Sequence, residues 1–529
     1  MVSYKAPWDR VIDEAAKQMP EFNLDLIYNW RKQGIEKIPT YQDKMFQQVT
    51  EFFNGQMQYV GYRALTPEER IDYIINNQIS KGSWSIRDTA TITMRYEFLF
   101  QGKPYYIYID DPYMLNERLV YNDTEYYPFF PIVERAGVNR TENGNIIVKV
   151  MRVPITFGRK AVDRYKIISV SGKTYPELLI TVKIYQGKNS GKKSEHIPLV
   201  LYPLCKYGYT ATMKQYGFDP NSIQISDKFN TSDKVYEYFI MPDGKRYLKV
   251  NRDMLTNTYK LRMVLSLYRI FQEIPEFTDQ DVFSDFTGYY LTVLGKFTCS
   301  KDTSMTKLLL PNAQKHMAMT DPMLDLVARD QLKQIGCECE NIYDLLRWMY
   351  FNIDDQLVAY DPTNLFDKKI ESLDTLACRV ARNIAYAQYA IINSKKAILD
   401  RKTVEQFCKR ASQRASWLAA DENDRSCKIF GTNPQLCNDS YLLSIGLKRC
   451  IMLESVASSS SHKGRKASKS KTPLHLLKAH SSHMVVTSIL DIPTSSPIVT
   501  GSLNPYAKID ADGNIIEPEY SKEIADVYL

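Results

Sequence analysis

Apolar and polar positions alternate in period two from about residue 83 to 250. On either side the spacing lengthens to that of amphipathic helices. TITMRYEFLF (91–100) and PYYIYI (104–109) are rich in β-branched and aromatic residues. Gly102-Lys103 between them predicts a hairpin. Asn143-Gly144 predicts a second turn, leading into NIIVKVMRVPITFG (145–158). Residues 163–186 give two strands around Gly172-Lys173, and VYEYFIMPDGKRYLKV (235–250) turns at Asp243-Gly244. Residues 1–80 read as mainly helical. One helix is set by cap-like Thr66, Pro67 in the first turn, and Glu68 and Glu69 at the positive end of its dipole. Beyond 254 helices are predicted at 254–273, 322–335, 341–351, 372–398 and 402–418. Strands gathered in one region and helices in another define an α+β chain. Its 529 residues suffice for several domains. No repeat of 20–50 residues is visible.

One stretch fits neither period. SVASSSSHKGRKASKSKT (455–472) is Ser/Lys-rich and, by composition alone, a linker or loop. From Ser455 to Leu490 there is no Asp or Glu, whereas Lys463, Arg465, Lys466, Lys469, Lys471 and Lys478 are cationic. That stretch carries most of the net charge of +7 and four of the six histidines, His462, His475, His480 and His483. A local cationic segment on a nearly neutral body points to contact with a polyanion, since Lys and Arg displace counterions from phosphates. Linkers seldom run straight into paired histidines and an apolar strand, as KTPLHLLKAHSSHMVVTSILDIP does.

Other chemistry is sparse. The nine cysteines are an odd, irregularly spaced set and read as free buried thiols. Cys337 and Cys339 form C-x-C without a second pair, so no metal held by this chain alone is expected. Asp510-Ala511-Asp512-Gly513 could suggest a metal-binding carboxylate pair, but Asp-Gly between two short apolar runs is a turn signal. Asp110-Asp111 and Asp354-Asp355 are adjacent acids that nothing nearby completes into a site. Nucleotide-binding, nucleophile-elbow and zinc-protease motifs are missing. With no run of about 18 apolar residues and no signal-like start, the chain is expected to be soluble and intracellular, without a membrane partner.

In order and spacing, several segments resemble the β subunit of multisubunit DNA-directed RNA polymerases. Ser461-His462-Lys463-Gly464-Arg465-Lys466 stands where that family has a basic T-H-K-R-R stretch, and His480-Ser481-Ser482-His483 where it has H-x-T-H. Asp491-Ile492-Pro493 stands for its Glu-Thr-Pro, and Ser502 to Ala507 resembles S-L-x-x-Y-A. Upstream, residues 146–158 resemble a family strand and place Arg152 on its arginine; residues 196–209 resemble K-I-P-V-x-x-L-L-R-A-L-G-Y. Thr494 and Ser495 replace the family's second Glu and Gly. Such divergence is similar to the enzymes of jumbo, phiKZ-like bacteriophages, whose β subunit is split into two polypeptides.

The resemblance implies a multi-domain β N-terminal half. Residues 1–160 would be the first part of the protrusion, 161–370 the lobe, 371–425 a helical return to the protrusion, and 426–529 the fork with basic loop 455–478. It also implies a nucleotidyltransferase subunit that positions template DNA and the RNA–DNA hybrid through Lys463, Arg465, Lys466, Lys469 and Arg152, with His480 and His483 either touching nucleic acid or holding the fork by local packing. Asp491 and Pro493 would shape the fork. Catalytic Mg2+ would be held by a β′-type partner. Implied partners are the C-terminal β fragment, β′-type fragments, a promoter-specificity subunit, template and nascent RNA, in the cytoplasm of an infected bacterium or packaged in the virion. The residues alone leave open two alternatives: a non-catalytic single-stranded nucleic-acid-binding protein and a phage structural protein.

Overall fold

The computed structural model describes residues 30–53, 55–79, 91–113, 119–121, 123–128, 131–134, 138–141, 145–150, 153–160, 167–175, 179–184, 197–230, 233–298, 309–321, 323–324, 326–358, 364–370, 399–412, 430–431, 449–453, 480–486, 500–504, 507–510 and 513–519. The predicted helix at 372–398 lies outside them. The α+β class holds, with helices beside predominantly antiparallel sheets. The chain divides into two units. The first comprises Met1–Arg135, Asp361–Val380 and Val404–Leu529; the second comprises Ala136–Tyr360 and Ala381–Thr403.

The first unit opens with helix α1 (Trp30–Phe52), followed by strand β1 (Met57–Ala64), helix α2 (Pro67–Ile79), and strands β2 (Thr91–Phe100) and β3 (Lys103–Pro112). Ile38, Gln42, Met45 and Val49 recur at helical spacing and are buried. Beside them, the Phe46 ring lies 4.4 Å from Tyr96 and 5.5 Å from Phe98 on β2, packing α1 on the sheet. β2 and β3 pair without a break from Thr91↔Pro112 to Phe100↔Lys103. The turn is therefore Gln101-Gly102, one residue earlier than Gly102-Lys103. Both turn residues have positive φ (51° and 72°), as a tight turn matched to strand twist requires. Thr66 caps α2 reciprocally: its Oγ1 accepts from the Glu69 N–H, and its own N–H donates to Glu69 Oε2 at 3.0 Å. A further strand, β4 (Pro131–Glu134), finds its partners only far downstream.

The second unit is built on a five-stranded antiparallel meander: β5 (Val138–Thr141), β6 (Asn145–Val150), β7 (Val153–Lys160), β9 (Leu179–Ile184) and β10 (Ile197–Pro198). Short β8 (Ile167–Ile168) lies between β7 and β9 in the chain. β7 is bonded to β6 and β9, and its last residue, Lys160, pairs with Leu179 of β9. A three-stranded sheet follows, ordered β11 (Ile223–Ser226), β13 (Tyr247–Asn251), β12 (Tyr236–Ile240). Helices α3 (Thr258–Glu273) and α4 (Ile342–Val358) supply Leu267, Phe271, Leu346 and Tyr350 to one continuous core with Phe157, Val182, Phe239 and Leu248. α3 begins at Thr258 behind the Asn257 cap, later than 254, because Arg252–Leu255 forms a separate 3-10 turn. Cys205, Cys337 and Cys339 of this unit are free and buried, as is Cys408 of the first unit.

The chain then returns to the first unit. β14 (Lys368–Ile370), β4, β15 (Arg449–Leu453) and β16 (Thr500–Leu503) form one four-stranded sheet in that order. β15 runs parallel to β4, and the other pairs are antiparallel. Helix α5 (Ser482–Val486) and the hairpin of β17 (Lys508–Ile509) and β18 (Ile515–Ile516) also belong to this unit.

Candidate nucleic-acid interface

The flanks of the cationic segment define this region. On the N-terminal side β15 ends at Leu453, paired with Ile132 of β4. On the C-terminal side, Val485 and Val486 of α5 join a buried cluster with Ile132, Leu365, Phe366, Ala507 and Ile515. Departure and return therefore both reach Ile132, one by backbone pairing and the other through its buried cluster. Lys463, Arg465, Lys466, Lys469, Asp491 and Pro493 lie outside the described residues, as does Arg152. His480 and His483 lie within them.

His480 stands two residues before α5. Its Nδ1 accepts the Ser482 N–H at 3.1 Å, and its carbonyl accepts the His483 N–H at 3.1 Å. The first bond serves the exposed donor end of a short helix as a cap would. A neutral ring that accepts at Nδ1 carries its proton on Nε2, leaving one donor. The ring meets Phe366 edge-on, with centroids 6.3 Å apart. His483, in the first turn of α5, is partly buried. These contacts fix the His480 imidazole against the core at the C-terminal end of the cationic segment.

Ser482 was not legible as a functional position, because its partner is remote in sequence. It is fully buried, and its Oγ accepts the Leu365 N–H at 2.8 Å. Asn364 in turn accepts the Phe366 N–H at 3.0 Å and starts the 3-10 turn Leu365–Asp367. The Asn504 N–H donates to the Val486 carbonyl at 2.9 Å, tying α5 to the end of β16. Ser482→Ala strands the Leu365 N–H away from water. It is expected to cost the first unit about 1–3 kcal/mol in urea unfolding; a change within experimental error would mean that this bond does not hold α5.

The Asp510 motif is a turn. β17 and β18 pair antiparallel, Gly513 has φ +84°, and both Asp510 carboxylate oxygens accept from Asn514, each at 2.8 Å. Asp110 accepts from Thr93 Oγ1 at 2.7 Å across the β2–β3 pair, and Asp354 faces Arg262 and Arg159. Among the described residues no group of three or more His, Cys, Asp or Glu side chains could hold a metal ion.

A model of the non-virion RNA polymerase subunit family matches residues 7–514, and the chain belongs to that family. It is one component of a phage RNA polymerase, with other polymerase subunits as its partners. Among curated proteins none matches the chain.

Proposed function

We propose that this subunit is the N-terminal part of a β-type subunit split between two polypeptides, positioning template DNA and the RNA–DNA hybrid. The observation that carries the reading is the meeting of both flanks of the cationic segment at Ile132. A linker between independent bodies would leave its flanks in different cores. Flanks that meet at one residue bring the two ends of the cationic segment together, which supports its cations acting at one place. Serine and glycine among them let the backbone approach phosphates closely. Lys463, Arg465, Lys466 and Lys469 are the phosphate contacts of this reading, with Arg152, His480 and His483 beside the hybrid. The order of motifs from Arg152 through Ala507 supports the β-type assignment.

The active site would be completed by a β′-type chain whose carboxylates hold Mg2+ and stabilise the entering and leaving oxygens of nucleotidyl transfer. Asp110, Asp354 and Asp510 of this chain have partners within its own fold. The C-terminal β fragment, a promoter-specificity subunit, template and nascent RNA complete the set of partners. The assembly would work in the cytoplasm of the infected bacterium.

The Lys463→Ala/Arg465→Ala/Lys466→Ala triple variant tests this in the assembled polymerase. Elongation is expected to fall, and the slope of log binding constant against log salt to flatten by up to about 2.7, at about 0.9 for each duplex phosphate no longer neutralised. Unchanged elongation with an unchanged slope would overturn the reading. Tight binding of single-stranded DNA by the isolated chain would favour the single-strand-binding alternative.

A further inference from the structure

The second unit carries an apolar row that its own core does not use. In the sheet of β11, β13 and β12, alternate residues Ile223, Phe239, Leu248 and Val250 face inward and are buried. On the opposite face, Ile240 of β12 stands across from Tyr247 of β13, which stands across from Ser226 of β11. A bridge between Ser169 and Phe239, with the Val170 N–H donating to the Tyr238 carbonyl at 2.8 Å, adds the β8 end to the β12 edge. That register brings Ile168 opposite Ile240. Ile168 and Ile240 are 60% and 51% exposed. Phe229, also exposed, lies 4.8 Å from the Tyr247 ring. Ile168, Ile240, Tyr247 and Phe229 thus form one row across the strands. Soluble chains rarely leave such a contiguous row in water unless it has a partner.

Around the row basic residues outnumber acidic ones. Lys228 adjoins Phe229, Lys234 precedes β12, Lys245 lies in the β12–β13 turn, and Lys249 of β13 holds its Nζ 4.1 Å from the Tyr236 ring centroid. None of these lysines is ion-paired among the described residues. Of the nearby acids, Asp243 is engaged by Arg246 at 2.6 Å, Asp233 by the N–H groups of Val235 and Tyr236, and Glu237 by Ser171 and Arg252, while exposed Asp227 adjoins Lys228. The row therefore sits in a net positive field.

We propose that this face docks an amphipathic helix from another subunit of the polymerase, laid across the strands with Asp and Glu flanking its apolar stripe. Neighbouring strands are about 4.8 Å apart. Residues i, i+3 or i+4, and i+7 of a helix climb by about 4.5–6 Å per step, so one apolar side chain can meet each strand. The most exposed members of the row are isoleucines, which offer a helix an apolar surface but no ring face to a nucleobase. The unpaired lysines select the acidic flanks. This inference rests on family membership and not on the β-type reading, so the two can fail separately.

The test reconstitutes the full chain with the other polymerase subunits and measures its incorporation by native mass spectrometry and titration. Ile168→Glu/Ile240→Glu is expected to weaken incorporation about 100-fold or more, as loss of two apolar anchors does. Lys228→Glu/Lys245→Glu is expected to weaken it about tenfold, with a smaller loss at high salt. Both pairs are surface positions, and thermal melting checks the fold; if the glutamates at the isoleucines unfold the unit, the lysine pair decides alone. Wild-type incorporation by the folded variants overturns the proposal. So does a loss confined to self-association or to binding of a single-stranded oligonucleotide.

Discussion

Asp111→Asn is expected to stabilise the first unit at pH 8 by on the order of 4 kcal/mol, while changing little at pH 4. Asp111 lies near the end of β3, buried against α1. Its Oδ1 accepts from Gln42 Nε2 at 2.8 Å, and Gln42 Oε1 accepts the Tyr96 hydroxyl. Oδ2 has no hydrogen-bond partner. Burial pushes the carboxyl up from the ordinary 3.8 to about 7, against the Gln42 bond, with neighbouring Asp110 adding to the rise. Since the folded pKa lies above the unfolded one, proton binding favours the fold. That contribution is fully present below about pH 4 and lost as pH rises through about 7. Asn is neutral at every pH and has the shape of the protonated acid, so the penalty disappears in the variant. Hydrogen exchange of the β2–β3 amides, compared between variant and wild type at both pH values, localises the effect. A difference independent of pH, or a variant less stable at pH 8, would sink the explanation.

The second large effect concerns Arg262 of α3, which is 1% exposed. Its Nη2 contacts Asp354 of α4, whose other oxygen lies 3.1 Å from Arg159 of β7. The guanidinium carbon lies 5.6 Å from the Tyr259 ring centroid, while Nε and Nη1 have no hydrogen-bond partner. Arg262→Ala removes a long buried stem and leaves a void, for an expected loss of about 3–5 kcal/mol. Arg262→Met fills most of that space, removes two unsatisfied donors and leaves Asp354 with Arg159. Its expected cost is below about 1.5 kcal/mol. Equal losses for the two variants in denaturant unfolding would assign the stability to the ion pair and not to packing.

Local physics made much of the architecture legible in the chain itself. The β2–β3 hairpin follows from period-two patterning, and its one-residue turn error arises because glycine marks a turn without saying which turn position it fills. The Thr66–Glu69 box and the Asp243-Gly244 turn depend on neighbours within a few residues. The sheet of β14, β4, β15 and β16 was illegible for the opposite reason. Its strands have three to five residues, and what places β4 among them is pairing across hundreds of positions. The same distance concealed Ser482, whose partner is the Leu365 backbone. At the candidate interface, charge and motif order were visible in sequence. That both flanks meet at Ile132 was not.

That sheet also sets a timetable for synthesis. The second unit draws nearly all of its core from one continuous stretch and can fold as soon as that stretch has emerged. β4 leaves the ribosome earlier, yet its neighbours β14 and β15, and β16 beyond them, are encoded after that stretch. At roughly 5–20 residues per second, β4 waits tens of seconds for β15. Ile132 meanwhile has no core to enter, and the strand's edges stay open to wrong partners. Nascent chains stalled before Arg449 should therefore present a finished second unit beside an unfinished first one, which makes the chain from Arg449 onward a closing clasp for a body begun at the other end.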